Sequence, residues 1–97
     1  MKQKRSTSAA GSKAAVTAGS KLREIREGRG LTMRDVHAES RSIGQKLGSR
    51  RFEMVPSRLH MLERGMHNPN IYRCKAICEI YKISIKDLFK LYGLKIA

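Results

Sequence analysis

The chain has 97 residues, enough for one domain with one modest core. Its 21 Lys and Arg against 8 Asp and Glu give a formal net charge of +13, which favours a polyanionic partner: DNA, RNA or an acidic membrane face. No apolar run approaches the roughly 18 residues of a membrane span, and the basic start lacks the apolar stretch of a secretory signal.

Residues 1–19 are Ser-, Ala-, Gly- and Lys-rich, contain no acid and hold one branched aliphatic, Val16. They read as a disordered basic tail; their superficial likeness to an organellar transit peptide is the weaker reading. The basic excess does not reside there alone, because Lys2, Lys4, Arg5 and Lys13 are the tail's only cations. From Ser20 the pattern turns helical. Ser20 is placed to cap a first helix with Leu22 and Ile25 inward, ending near Gly28–Gly30. Thr32-Met33-Arg34-Asp35 is a capping box, and Val36, Ser40, Ile43 and Leu47 mark one face of a long second helix that Gly48 stops.

Ser49-Arg50-Arg51-Phe52 reads as an irregular stretch. Pro56 suits the first turn of a third helix, with Leu59 and Leu62 inward and Gly65 closing it. Asn70 then caps a fourth helix carrying Ile71, Cys74, Ile77, Cys78 and Tyr81 at helical spacing. Ser84-Ile85-Lys86-Asp87 is a second capping box opening a fifth, with Leu88, Phe89 and Tyr92. No strand-like alternation competes. The pattern predicts an all-α, five-helix domain over 20–97. Its expected core is Leu22, Ile25, Leu31, Val36, Leu59, Leu62, Ile71, Ile77, Ile83, Leu88 and Phe89, with Leu91, Leu94 and Ile96 as core or dimer contact.

Cys74 and Cys78, the only cysteines, share a helix face and read as small reduced core residues in a cytosolic protein rather than a disulfide or metal site. No catalytic constellation is present: no His beside a motif-placed Ser or Cys, no Gly-rich phosphate loop and no clustered carboxylates. An enzyme, a cofactor, a metal and a small-molecule substrate are therefore not expected, nor is a membrane-surface role.

The ordered set is more specific than any piece of it. Leu22-Arg23-Glu24-Ile25-Arg26-Glu27, Gly30-Leu31-Thr32, Arg58-Leu59 through Leu62-Glu63-Arg64-Gly65, Asn68-Pro69-Asn70-Ile71 and Ile83 through Phe89 follow one another at near-regular spacing. In this the chain resembles, over about 20–90, the DNA-binding domain of the Cro and phage-repressor (XRE-type) helix-turn-helix regulators. The resemblance implies that the third helix, about 56–64, lies in the major groove while the second crosses above the backbone. It places Ser57, Arg58, His60 and Met61 against base edges. It places Thr32, Met33 and Arg34 at the start of the second helix and Arg64 at the end of the third against phosphates; Arg50 and Arg51, in the loop before the recognition helix, are further phosphate-contact candidates. It also pairs Arg26 with Glu63 as a structural link that sets the angle of the recognition helix.

Two departures stand out. The stretch from Thr32 to Leu59 is about twelve residues longer than the family's usual spacing, so the second and third helices are separated by an insertion at about 41–54. Met33 and Pro56 stand roughly where the family often carries Gln, which removes the usual amide contacts to adenine and shifts readout towards arginine and DNA shape. Lys82 occupies a turn position where Gly is usual. The expected function is sequence-specific binding of double-stranded DNA as a nucleoid-associated cytoplasmic regulator, a repressor working as a homodimer. A non-specific nucleic-acid binder and a protein-interaction module on the same scaffold are the alternatives.

Overall fold

Ser12 accepts a hydrogen bond from the Ala15 amide and opens α1 (Lys13–Gly28) in the computed structural model, which describes residues 12–94. The helix therefore begins seven residues before Ser20, and residues 12–19, expected in a disordered tail, belong to the fold. The reason is in their spacing. Ala15, Ala18, Gly19, Leu22 and Arg26 recur at intervals of three and four and are all buried, so small residues continue the apolar stripe of Leu22 backwards. The rest of the expected tail, 1–11, lies outside the described residues, as does Ile96.

Gly30, at φ 72°, turns the chain into α2 (Met33–Leu47). Both halves of the Thr32–Asp35 capping box form, at 3.0 and 2.9 Å. The buried positions of α2 are Val36, Ser40 and Gly44, four apart. Ile43 is half-buried, and Leu47, expected on the inner face, is exposed. The chain folds back at Gly48 so closely that a side chain on Gly44 would meet the Ser49 carbonyl at 2.5 Å. The cover ends there and leaves Leu47 beyond it.

The insertion is a lengthened second helix followed by a short 3-10 turn (Arg50–Phe52), not a loose loop. Ser40 Oγ accepts the Met54 amide at 2.8 Å and donates to the His37 carbonyl. Phe52 and Met54 are buried, and the Phe52 ring meets Tyr72 edge-on with centroids 5.3 Å apart. The 3-10 turn packs on both α2 and α4 (Ile71–Tyr81).

Pro56 is the first residue of α3 (Pro56–Glu63), where its missing N–H leaves no acceptor unpaired. Asn70 caps α4 through the Arg73 amide, and Ser84 caps α5 (Ile85–Leu91) through the Asp87 amide; only the serine half of that expected box is seen. Leu22, Val36, Met54, Leu59, Leu62, Ala76, Ile77, Ile80, Tyr81 and Leu88 form the core, with Ile25, Leu31 and Ile83 half-buried around it. Ile71, expected in that core, is 78% exposed. The buried face of α4 is centred on Ala76, Ile77, Ile80 and Tyr81, so Ile71, Cys74 and Cys78 fall on its flank facing α5. Leu91 packs against the core, and Leu94 is exposed.

Lys82 ends α4 in the left-handed conformation, φ 58°, the one non-glycine residue with positive φ among those described. An L side chain there costs roughly 1–2 kcal/mol that glycine does not incur. Lys82→Gly is expected to raise stability by about 1 kcal/mol in urea unfolding; a variant less stable than the parent would show that Lys82 makes a compensating contact.

Candidate nucleic-acid interface

At 100° per residue, Leu59, Leu62 and Glu63 of α3 share one side and Ser57, His60, Met61 and Arg64 the other. The burial pattern agrees. Ser57, Arg58, His60 and Arg64 are exposed and Met61 is half-buried, while the inward residues are closed off. Arg58 lies between the two sides, where its charge acts on Arg73 of α4. The only acid on α3, Glu63, points inward, so the outer face carries cations and neutral groups alone.

Glu63 is held by Arg26 of α1. Arg26 Nε donates to Oε2 at 2.7 Å and a terminal nitrogen donates to Oε1 at 3.1 Å, a two-pronged grip between residues 37 apart in sequence. The second terminal nitrogen of Arg26 donates to the Leu31 carbonyl at 2.9 Å. One guanidinium thus joins α1, the α1–α2 turn and α3. Both side chains are almost wholly buried, and the Glu63 hydrogen bond, opposed by burial, holds the Arg26 proton more tightly than usual.

The Thr32 hydroxyl and N–H are both engaged with Asp35, whose carboxylate sits at the helix start and is held below its ordinary pKa by those bonds. An acid already occupies the place where a phosphate was expected to meet the helix dipole. Met33 is half-buried and packs in part against the core. Thr32 and Arg34 are exposed.

Arg50 and Arg51 are exposed on the 3-10 turn. Arg51 lies over the Tyr72 ring, 5.4 Å from its centroid, and donates to the Tyr72 hydroxyl at 3.3 Å. Arg73 Nε donates to the Glu53 carbonyl at 3.1 Å, and burial followed by the Arg58 charge lowers its pKa. Arg51, Tyr72 and Arg73 form a basic shelf along the 3-10 turn and the start of α4, and Arg73 brings it near Arg58 of α3. Tyr72 and Arg73 carry no sequence signal for this role, because the contact joins segments some twenty residues apart. The same holds for His37 and Glu53, whose side chains meet at 2.6 Å.

That contact has a consequence for acid stability. The His37 hydrogen bond, and after it the charges of His37, Arg41 and Arg50, hold the Glu53 carboxyl below its ordinary pKa. A carboxyl depressed in the folded state stabilises it above the ordinary carboxylate range, and the contribution is lost as pH falls through that range. Asp35 acts in the same direction. Glu53→Gln is expected to flatten the acid limb of the urea midpoint below about pH 4.5. Superimposable acid limbs for variant and parent would refute the assignment.

In comparison with known proteins, the family described as helix-turn-helix domain matches residues 19–94. No curated protein and no solved structure matches.

Proposed function

Because this chain belongs to the helix-turn-helix domain family, of the Cro/phage-repressor kind, we propose that it binds double-stranded DNA sequence-specifically and acts as a transcriptional repressor. The observation that carries this reading is the acid-free outer face of α3, fixed from behind by the buried Arg26–Glu63 pair. On this reading α3 enters the major groove, which admits one helix. Ser57, His60 and Met61 face base edges. Arg58 either forks onto guanine or joins Arg73 on the flanking phosphates. Arg64 and the Arg51 shelf hold the backbone.

A palindromic site requires two copies, and we assign the pairing surface to the groove between α4 and α5. Ile71, Ile85 and Leu94 are exposed there, and the adjoining Lys75–Glu79 pair lets a two-fold contact exchange opposite charges between copies. Ile71→Glu with Ile85→Glu is expected to leave fold and helicity intact and to turn a dimer into a monomer by light scattering. A parent already monomeric on operator DNA would refute the pairing.

The reading is tested by titrating the protein against a randomised duplex library and sequencing the bound fraction for the parent, Arg58→Ala and Met61→Ala. One enriched motif, changed by those substitutions, supports it. Binding without any motif, lowered alike for all sequences, assigns the chain to non-specific nucleic-acid binding. That outcome has its own support in Met33, a half-buried thioether that offers no amide where the family often reads with one. No binding at low salt refutes the DNA role and leaves a protein partner.

A further inference from the structure

The inserted segment encloses a cleft of about 480 Å³ between the end of α2 and the 3-10 turn. Arg41, Gln45, Ser49 and Arg50 line it, with Glu53 in its wall. We propose that this cleft is a binding site for a phosphate group, gripped by Arg41 and Arg50.

The charge arrangement supports this. Among the described residues neither guanidinium makes a hydrogen bond or a close ion pair, although both lie near enough to act on Glu53. The one acid in the wall is already taken, since His37 holds it at 2.6 Å. Two arginines therefore face the cleft with no carboxylate bound to them. A guanidinium presents forked N–H donors that match the oxygens of a phosphate, and two such forks can share one group.

The backbone supports it as well. The Ser49 amide donates to the Gly44 carbonyl at 2.9 Å, and Gly44 admits the returning Ser49 carbonyl where any side chain would collide. Ser49 Oγ accepts the Arg51 amide, and Ser40 holds the Met54 amide. Both arginines thus project from fixed backbone, which reduces the ordering cost of binding.

The phosphate can come from two sources, a nucleic-acid backbone or a free phosphate ester. Arg50 stands six residues before Pro56, so its Cα lies at most about 20 Å from the start of α3. The backbone beside a major groove about 12 Å wide, into which α3 would fit, is therefore one candidate source. The backbone arm rests on the DNA-binding reading above, whereas the free-ester arm does not.

The test uses the full chain and two variants, Arg41→Gln/Arg50→Gln and Arg41→Lys/Arg50→Lys, whose replaced side chains are exposed; far-UV circular dichroism and urea midpoints check the fold. Inorganic phosphate and pyrophosphate are titrated while the amide resonances of Gly44, Gly48 and Ser49 are followed. Operator-containing or random duplex affinity is measured across salt concentrations. The expected result is saturable shifts in the parent, absent in the Gln pair and weakened several-fold in the Lys pair, which keeps the charge and loses the forks. A fall of about 0.9 in the salt slope of the Gln pair assigns the phosphate to the DNA backbone. Saturable shifts with an unchanged slope assign it to a free ester. No saturable shift and no slope change overturn the site even if Arg58→Ala weakens DNA binding, and the DNA reading then stands without it. Shifts retained in full by the Lys pair overturn the forked grip. Saturable shifts in a chain that binds no DNA keep the site and remove the DNA reading.

Discussion

Glu63→Gln is expected to destabilise the fold by about 3–5 kcal/mol, the usual cost of breaking a buried ion pair by removing one partner. The amide keeps the shape but not the charge. Arg26 then remains ionised, with its side chain 8% exposed and no other carboxylate close enough to replace Glu63; Glu27 approaches it only to 3.9 Å and is itself half in solvent. Tyr81, fully buried, lies near both groups, and burial followed by the Glu63 charge pushes its pKa up, so the phenol stays neutral and supplies no countercharge. Urea unfolding followed by circular dichroism measures the loss. The paired replacement Arg26→Met/Glu63→Leu is expected to recover most of it, because the cost lies in the unpaired charge rather than in the absence of attraction. It should not recover DNA affinity to the same degree, since Arg26 also ties the Leu31 carbonyl and so fixes the α1–α2 turn relative to α3. A loss under about 1 kcal/mol for Glu63→Gln would mean that water reaches Arg26 and that the pair contributes no more than a surface one.

The elements with strong local chemistry were legible in the sequence, and those made by distant contacts were not. Thr32, Asn70 and Ser84 announced three helix starts, and Pro56 a fourth, because each signal is complete within four residues. The early start of α1 was hidden by composition. Ala15, Ala18 and Gly19 look like tail residues, and only the close approach of α3 makes their smallness useful. Ile71 was misplaced for a related reason: one rotation of α4 about its axis decides which of two apolar stripes faces inward, and that rotation is set by the packing of Ile77, Ile80 and Tyr81 against other helices. At the interface, Arg58 and its neighbours on α3 follow from the family resemblance. Arg73, Tyr72 and the His37–Glu53 contact follow from none of it, because the insertion that brings them together departs from the family's spacing.

Gly19→Ala is the second large effect, and its sign opposes helix propensity. In an isolated helix the change favours the folded state by about 1 kcal/mol. Here the added Cβ would lie 2.5 Å from the Glu63 carbonyl oxygen and 2.6 Å from that of Leu62. Both obstacles are backbone, so no rotamer relieves them. The crossing is tight from the other side too: Gly65, at φ 79°, would set a Cβ 2.6 Å from the Val16 Cα. Helix α1 can accommodate a methyl group on Gly19 only by moving away from the end of α3, which strains the overpacked contact at a cost typically of about 1–3 kcal/mol or more. We expect a net loss of about 2 kcal/mol in urea unfolding. Gly28→Ala is the internal control. It lies in the same helix with nothing within 4 Å of its would-be Cβ and an unexceptional φ, so it should stabilise by about 0.5–1 kcal/mol. Opposite signs for the two variants would place the difference in the α1–α3 contact. Equal signs would show that α1 slides freely on α3 and does not fix its angle. Because the Arg26–Glu63 grip spans the same contact, Gly19→Ala should also weaken DNA binding, although the substituted position lies behind α3, away from the outer face.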